Sequence, residues 1–289
     1  MPVEEFELQT SSYRLAALAW GPAQAPPMLA LHGWLDNAAT FTRLAPLVDR
    51  FRWVALDFPG HGRSQHKTSF SPYLFVDYAR VALEAATALG WERFCLTGHS
   101  LGANVATIMA AVARERVERL VLIEGIGPLT EEAARAPGRL TRYLHHMARL
   151  RARPLPVYST PAEAVAVRVK ASPMEPESAA LIVARNLTAV PGGVSWRTDQ
   201  KLTIISPTYL TEEHVLAFLQ QIHAPTLLVR GVRGLLIERE QVSGRCARIA
   251  DLSMVDLPGR HHLHLDEPAA VAAAIADFVD AHPAGTGCL

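Results

Sequence analysis

The chain has 289 residues, 49% of them hydrophobic, and its 28 basic side chains balance 28 acidic ones at a pI near 7.2. A chain of this length can bury roughly three quarters of its unfolded surface, so one large α/β domain, or one carrying an insertion, is expected and wholesale disorder is not. Zero net charge argues against broad electrostatic capture of nucleic acid or anionic membrane, though not against a local patch.

The N-terminal run MPVEEFELQT is acidic and lacks the apolar core of a signal peptide. No apolar run reaches the ~18 residues of a membrane span. Cys95, Cys246 and Cys288 lie far apart without CxxC spacing, so neither a disulfide framework nor a structural zinc site is expected. A reducing, cytoplasmic setting follows as the expectation.

In chain order, short and almost continuously apolar runs predict strands at Glu5–Leu8, Tyr13–Ala19, Pro27–Leu31, Trp53–Asp57, Phe94–Thr97, Leu120–Ile123, Thr226–Arg230 and Ile249–Asp256. Between them, helical patterns cover Ala38–Val48, Tyr73–Leu89, Leu101–Ala113 and Pro268–Ala281. Alternation of this kind predicts a mostly parallel, eight-stranded sheet with helices on both faces. The alternation stops between about Ile126 and His223, where proline and arginine rise and strand-like runs vanish. Leu140, Tyr143, Leu144, Met147 and Leu150 fall there at helical spacing, Glu177–Leu187 reads as a second helix ended by Val190-Pro191-Gly192-Gly193, and Thr211 reads as an N-cap. Residues 126–223 are therefore expected to form an inserted helical cap on a core made of 1–125 and 224–289. The inner face of the 140–150 stripe is expected to line the pocket beneath it.

The most informative stretch is Gly98-His99-Ser100-Leu101-Gly102, a G-x-S-x-G pentapeptide. An apolar strand precedes it and a helix follows, the setting in which a serine hydroxyl projects above a sheet edge near a positive helix N-terminus. The bland alternative is a serine N-cap between strand and helix. Its companions are Leu31-His32-Gly33-Trp34 and Asp57-Phe58-Pro59-Gly60-His61-Gly62-Arg63-Ser64, each after an apolar strand, and Gly259-Arg260-His261-His262 near the end.

Together and in this order, these motifs resemble the α/β-hydrolase family over almost the whole chain. The run Leu31–Asn37, LHGWLDN, looks like its serine-hydrolase-like branch. The resemblance implies Ser100 as nucleophile and His261 as general base, with His262 as the neighbouring alternative. It also implies the backbone N–H groups of Trp34 and Leu101 as oxyanion donors, with Trp34 walling the pocket. His32 is expected to brace its loop, and Asp57–Ser64 to shape the loop beside the site. His261, His262 and His264 could also be metal ligands, but a carboxylate-rich motif such as HExxH is missing, and base chemistry is preferred.

One position departs from the family pattern. Members commonly carry an aspartate in a G-x-x-D run after the strand read at Thr226–Arg230, and here the run Gly231-Val232-Arg233-Gly234 puts glycine in that place. Two glutamates can substitute. Glu124, at the exit of the preceding strand, is preferred because strand ends hold side chains rigidly; Glu238 is the alternative, and a Ser–His dyad without an acid is the third arrangement. The expected activity is serine-dependent, esterase-like hydrolysis of a small, largely apolar ester, thioester or related acyl compound. It would need only water as co-reactant, with no cofactor, metal, nucleic acid or membrane partner. Carbon–carbon hydrolysis of a ring-cleavage product, and a ligand-binding protein that has lost the chemistry, are the competing readings.

Overall fold

The computed structural model describes residues 2–69, 71–150, 154–236 and 240–283. The strands are β1 (Glu4–Gln9), β2 (Arg14–Trp20), β3 (Pro27–Leu31), β4 (Arg52–Leu56), β5 (Phe94–His99), β6 (Val117–Ile123), β7 (Val157–Tyr158), β8 (Leu187–Val190), β9 (Gly193–Trp196), β10 (Thr226–Gly231) and β11 (Leu252–Leu257). The α-helices are α1 (Phe75–Ala88), α2 (Leu101–Val112), α3 (Ala136–Leu150), α4 (Pro161–Ala171), α5 (Pro176–Asn186), α6 (Glu212–Leu219), α7 (Gln241–Cys246), α8 (Leu263–Asp266) and α9 (Pro268–Ala281).

Eight strands form one sheet in the order β1-β2-β4-β3-β5-β6-β10-β11. The β1–β2 and β2–β4 pairs are antiparallel and every later pair is parallel. Parallel strands joined by helical crossovers must be covered on both faces, and the side chains divide accordingly. On β6, Leu120 and Leu122 enter the core shared with α1, α2 and α6, whereas Val121 and Ile123 enter the core shared with α9. That is the period-2 alternation of a strand with two buried faces.

One expected helix is different. Ala38–Val48 is not a continuous α-helix but two short 3-10 turns, Ala38–Phe41 and Ala45–Leu47. Asn37 caps the first, accepting from Ala39 N, and Pro46, which has no N–H to give, restarts the chain in the second.

The segment between β6 and β10 holds α3, α4, α5 and α6 and also a small antiparallel sheet in the order β7-β9-β8. The Pro191-Gly192 pair is the turn of the β8–β9 hairpin, with Gly192 at φ 87, the positive angle a type II turn demands. Strands of two to four residues carry too little alternation to be read from sequence.

α4 and α5 are clamped to the body by buried polar contacts. Arg168 of α4 pairs with Asp36, Arg185 of α5 pairs with Asp57 at 2.9 Å, and Asn37 Nδ2 donates to the Ile182 carbonyl at 2.8 Å. α6 packs into the main core through Val215 and Leu219, and Thr211 and His214 form its capping box. α3 behaves otherwise: none of its residues 136–149 is buried, and Leu140 and Leu144 are 46% and 57% exposed. Of the stripe expected to face inward, Leu140 and Leu144 are presented to solvent and Tyr143 and Met147 are half-buried.

Candidate active site

Ser100 occupies the turn between β5 and α2 with φ 52 and ψ −113. A left-handed backbone at a non-glycine residue costs of order 1–3 kcal/mol, so the surroundings must impose it. Its N–H donates to the Ile123 carbonyl at 2.9 Å, and its own carbonyl accepts from Asn104 N at 3.0 Å. The flanking glycines are a packing requirement. A Cβ on Gly98 would stand 2.3 Å from Gly102 O, and one on Gly102 would stand 2.0 Å from Leu31 O. The half-buried Ser100 side chain makes no capping hydrogen bond to α2, whose N-terminus it heads.

The two expected oxyanion donors come from neighbouring parallel strands. Leu31 of β3 is in register with Gly98 of β5, and Trp34 and Leu101 each lie three residues further on. Leu101 opens α2, where an N–H has no partner within the helix. Among the described residues neither backbone N–H donates a hydrogen bond. The Trp34 indole donates to the Leu202 carbonyl at 3.2 Å while the side chain remains 54% exposed, so it stands at the mouth rather than deep in a pocket. Leu35, beside it, has φ 60.

His261 and Glu124 meet. His261 Nδ1 lies 3.1 Å from Glu124 Oε2. The carboxylate also accepts from Gly231 N at 2.8 Å through Oε1 and from Leu235 N at 2.7 Å through Oε2. Burial would raise the Glu124 pKa, but these donors and the His261 ring hold it below the ordinary carboxylate value. Glu124 has φ 54, so the non-glycine residues with positive φ among those described, Leu35, Ser100 and Glu124, all belong to this one region. Gly234 explains itself here: a Cβ at that position would lie 2.3 Å from Glu124 Oε1 and 2.4 Å from Oε2. The place left empty by the missing aspartate is the place the Glu124 carboxylate fills. Glu238, the alternative acid, lies outside the described residues.

Burial pushes the His261 pKa down to about 4, with nearby His99 and His262 adding to the effect and Glu124 opposing it. The ring is therefore neutral at pH 7, the form that can accept a proton.

His262 faces elsewhere. Its Nε2 lies 3.2 Å from Asp36 Oδ2, while Arg168 holds Asp36 Oδ1 and His99 Nδ1 stands 3.6 Å from Oδ2. The donor atoms of Asp36, His99 and His262 lie within 4.8 Å of one another, close enough for a metal ion. Yet the Asp36 charge already has a fixed cation in Arg168, and a divalent ion there would leave excess buried positive charge. The set reads as an ion-pair network beneath the Gly33–Asp36 loop. Burial raises the Asp36 pKa, but His262 and Arg168 outweigh it and hold the acid well below the ordinary value.

His32, Asp57 and His264 are braces. His32 Nε2 accepts from Phe58 N at 2.9 Å and His32 Nδ1 donates to the Gly33 carbonyl at 2.7 Å. Asp57 accepts from Ala38 N at 2.7 Å and Arg63 N at 2.8 Å besides pairing with Arg185. His264 Nε2 is bonded to Thr40 Oγ1 at 2.7 Å. Sequence reasoning passed over Asp36 and Arg168. Asp36 sits inside the LHGWLDN run, but its partner is 132 residues away on a cap helix, and no local pattern announces it.

A parallel sheet with a strained serine between strand and helix, followed by a histidine–carboxylate pair at the same sheet edge, defines the α/β-hydrolase class. The sequence pattern of the alpha/beta hydrolase fold family matches residues 26–268, and the chain belongs to that family. It is 32% identical to a serine hydrolase-like protein of Danio rerio over 95% of this chain and 88% of that one. Among solved structures it resembles a hypothetical protein of Pseudomonas aeruginosa PAO1 at 43% identity and TM-score 0.92, covering 96% of this chain and 99% of the other. It also resembles the thioesterase domain from the curacin biosynthetic pathway at 28% identity and TM-score 0.86, covering 96% and 100%. No helix among the described residues is long and apolar enough to cross a membrane.

Proposed function

We propose that the protein is a serine hydrolase that cleaves apolar acyl esters or thioesters through an acyl-enzyme, with Ser100, His261 and Glu124 as its triad. The observation that carries this reading is the 3.1 Å contact between His261 Nδ1 and a Glu124 carboxylate seated where Gly234 leaves room. Glu124 holds the ring in the tautomer that bears a proton on Nδ1, which frees Nε2 to take the Ser100 proton. Ser100 Oγ attacks the acyl carbon, and the carbonyl oxygen gains negative charge against the Trp34 and Leu101 N–H groups. His261, now protonated, gives its proton to the leaving alkoxide or thiolate. Water, deprotonated by the same nitrogen, then releases the acid and restores Ser100. Glu124 stabilises the transient imidazolium in both halves.

A ligand-binding protein without chemistry would draw its support from the missing aspartate, and the Glu124 carboxylate beside Gly234 weighs against that reading. A thioester substrate fits the likeness to the thioesterase domain, and the exposed Trp34 gives an acyl chain an apolar edge at the mouth. A fluorophosphonate probe tests the central claim. It should label the parent at Ser100 and leave Ser100→Ala unlabelled; a parent that fails to label would sink the proposal.

The His261 pKa sets the acid limb of the rate profile. Only neutral His261 can act as base, so kcat/KM should be level from pH 7 down to about 5. It should then fall tenfold per unit below about 4. Initial rates on a chromogenic ester, with circular dichroism confirming the folded state at each pH, give the midpoint. A midpoint near 6.5, the ordinary histidine value, would show that burial does not hold the ring neutral.

Asp36 is expected to act as a positioning residue, because it ties Arg168 of the cap to His262 and underlies the Gly33–Trp34 loop. Asp36→Asn should lower kcat by ~10², the cost of a small misplacement of reacting groups, with KM changed less than threefold or so. Steady-state kinetics on the folded fraction separate the two constants. Lost stability with kcat within twofold or so of the parent would assign Asp36 to cap anchoring alone.

A further inference from the structure

The segment between β6 and β10 contains a helix whose apolar side is largely uncovered, with Leu140 and Leu144 exposed and Tyr143 and Met147 half-buried. On α3, Leu140, Tyr143, Leu144 and Met147 follow i, i+3, i+4, i+7 and so share one face. Helix α9 buries the equivalent stripe, with Val271, Ile275 and Phe278 all in the core. On α3 the tethered side chain is a charged one. Arg139 donates to Glu131 at 2.8 Å and stacks 3.6 Å from the centre of the Tyr209 ring, while Leu140 and Leu144 are 46% and 57% exposed.

The charge around this stripe is one-sided. From residue 133 to residue 162 the sequence holds six arginines and two histidines and no acid, although the whole chain is neutral and Glu131, Glu132 and Glu163 lie just outside the run. Arg139 and Arg142 both pair with Glu131, the latter at 3.8 Å, and Arg142 and Arg149 lie on the polar face and are exposed. An apolar stripe opposed by an arginine-rich face is the pattern of helices that lie in the plane of an anionic bilayer. A helix is about 10–12 Å across, so arginines on its far side stay near one Debye length, about 8 Å at physiological salt, of the headgroups.

The candidate site lies beyond the C-terminal ends of the parallel strands. Trp34 follows β3 and is 54% exposed, and Leu235 follows β10 and is 55% exposed beside the Glu124 carboxylate. Glu131, which tethers α3 through Arg139, lies on the segment that leaves β6. We infer that α3 docks the protein on an anionic lipid surface, with Leu140, Tyr143, Leu144 and Met147 in the headgroup–acyl boundary, so that the site receives acyl esters resident in that membrane. The docking stands on the α3 surface alone; the substrate class rests on the hydrolase proposed above.

Flotation with phosphatidylcholine vesicles, with and without phosphatidylglycerol, tests the docking on the full chain. The parent should float with the phosphatidylglycerol vesicles, less so as salt rises, and only weakly with phosphatidylcholine alone. Leu144→Glu should lower vesicle partitioning about tenfold or more. The charge reversal Arg142→Glu/Arg149→Glu should remove most of the preference for the anionic lipid. Hydrolysis of a soluble short-chain ester by Leu144→Glu should match the parent, since Leu144 takes no part in the proposed triad or oxyanion site. Ser100→Ala should float like the parent, which separates failure of the docking from failure of the hydrolase reading. No partitioning, or equal partitioning with both vesicles, would overturn the proposal. So would light scattering showing a dimer that Leu144→Glu turns into monomer, because a second copy would then cover the stripe.

Discussion

Replacing Ser100 by alanine is expected to lower kcat by about 10⁴–10⁶, the scale on which a triad nucleophile acts. The change should leave the fold intact. The hydroxyl makes no cap bond to α2, and the strained turn is held by backbone bonds from Ser100 N to Ile123 O and from Asn104 N to Ser100 O. Alanine keeps the same Cβ, so the close fit of Gly98 and Gly102 around the turn is undisturbed. The measurement is burst-phase and steady-state hydrolysis of a chromogenic ester, with thermal unfolding as the control. Activity within tenfold of the parent would mean that another group attacks the acyl carbon. A large loss of both activity and melting temperature would make Ser100 a structural residue of the turn.

The sheet was legible because two-sided burial imposes a strong pattern. Pro27–Leu31 was read to the residue, and the other seven strands of the large sheet were placed within three residues at either end. The cap was legible only as an interruption. Its short β7, β8 and β9 bury too little to force alternation, and its contacts with the body are carried by single polar residues such as Arg168 and Arg185. A buried ion pair between Arg168 and Asp36 depends on the docking of α4 against the loop that follows β3, information that no window of sequence contains. The α3 stripe shows the converse limit. Periodicity correctly gave a helix with one apolar face, but the assumption that such a face turns toward the core does not hold for α3, whose tethered side chain is Arg139, one turn before Tyr143 at the margin of the stripe. The site itself was legible where motif and strand end coincide. Ser100, Trp34, Leu101 and Glu124 all lie within three residues of the end of a parallel strand, where backbone register decides what meets what.

Glu124→Gln is expected to cost ~10⁴ in kcat, about 5 kcal/mol of transition-state stabilisation. Glutamine matches glutamate in size, but Gly231 N and Leu235 N donate to different carboxylate oxygens, so its single amide oxygen can accept from one of them and not both. It cannot offset the charge of the His261 imidazolium, and its amide end can favour the wrong ring tautomer. Gly234→Ala approaches the same site from the other side. Its Cβ would stand 2.3–2.4 Å from the Glu124 carboxylate, so the acid must leave its donors or push the loop away, and kcat should fall although no charged group has been altered. An aspartate moved to the family's usual place supplies the decisive comparison. Gly234→Asp alone would set two carboxylates against each other and should be nearly inactive. Paired with Glu124→Ala, which vacates the space, it should recover part of the lost activity. If both Gly234→Asp variants were equally inactive and Glu124→Gln kept full activity, the carboxylate at 3.1 Å would be a brace for the Gly231–Leu235 turn. His261 would then work with Ser100 alone.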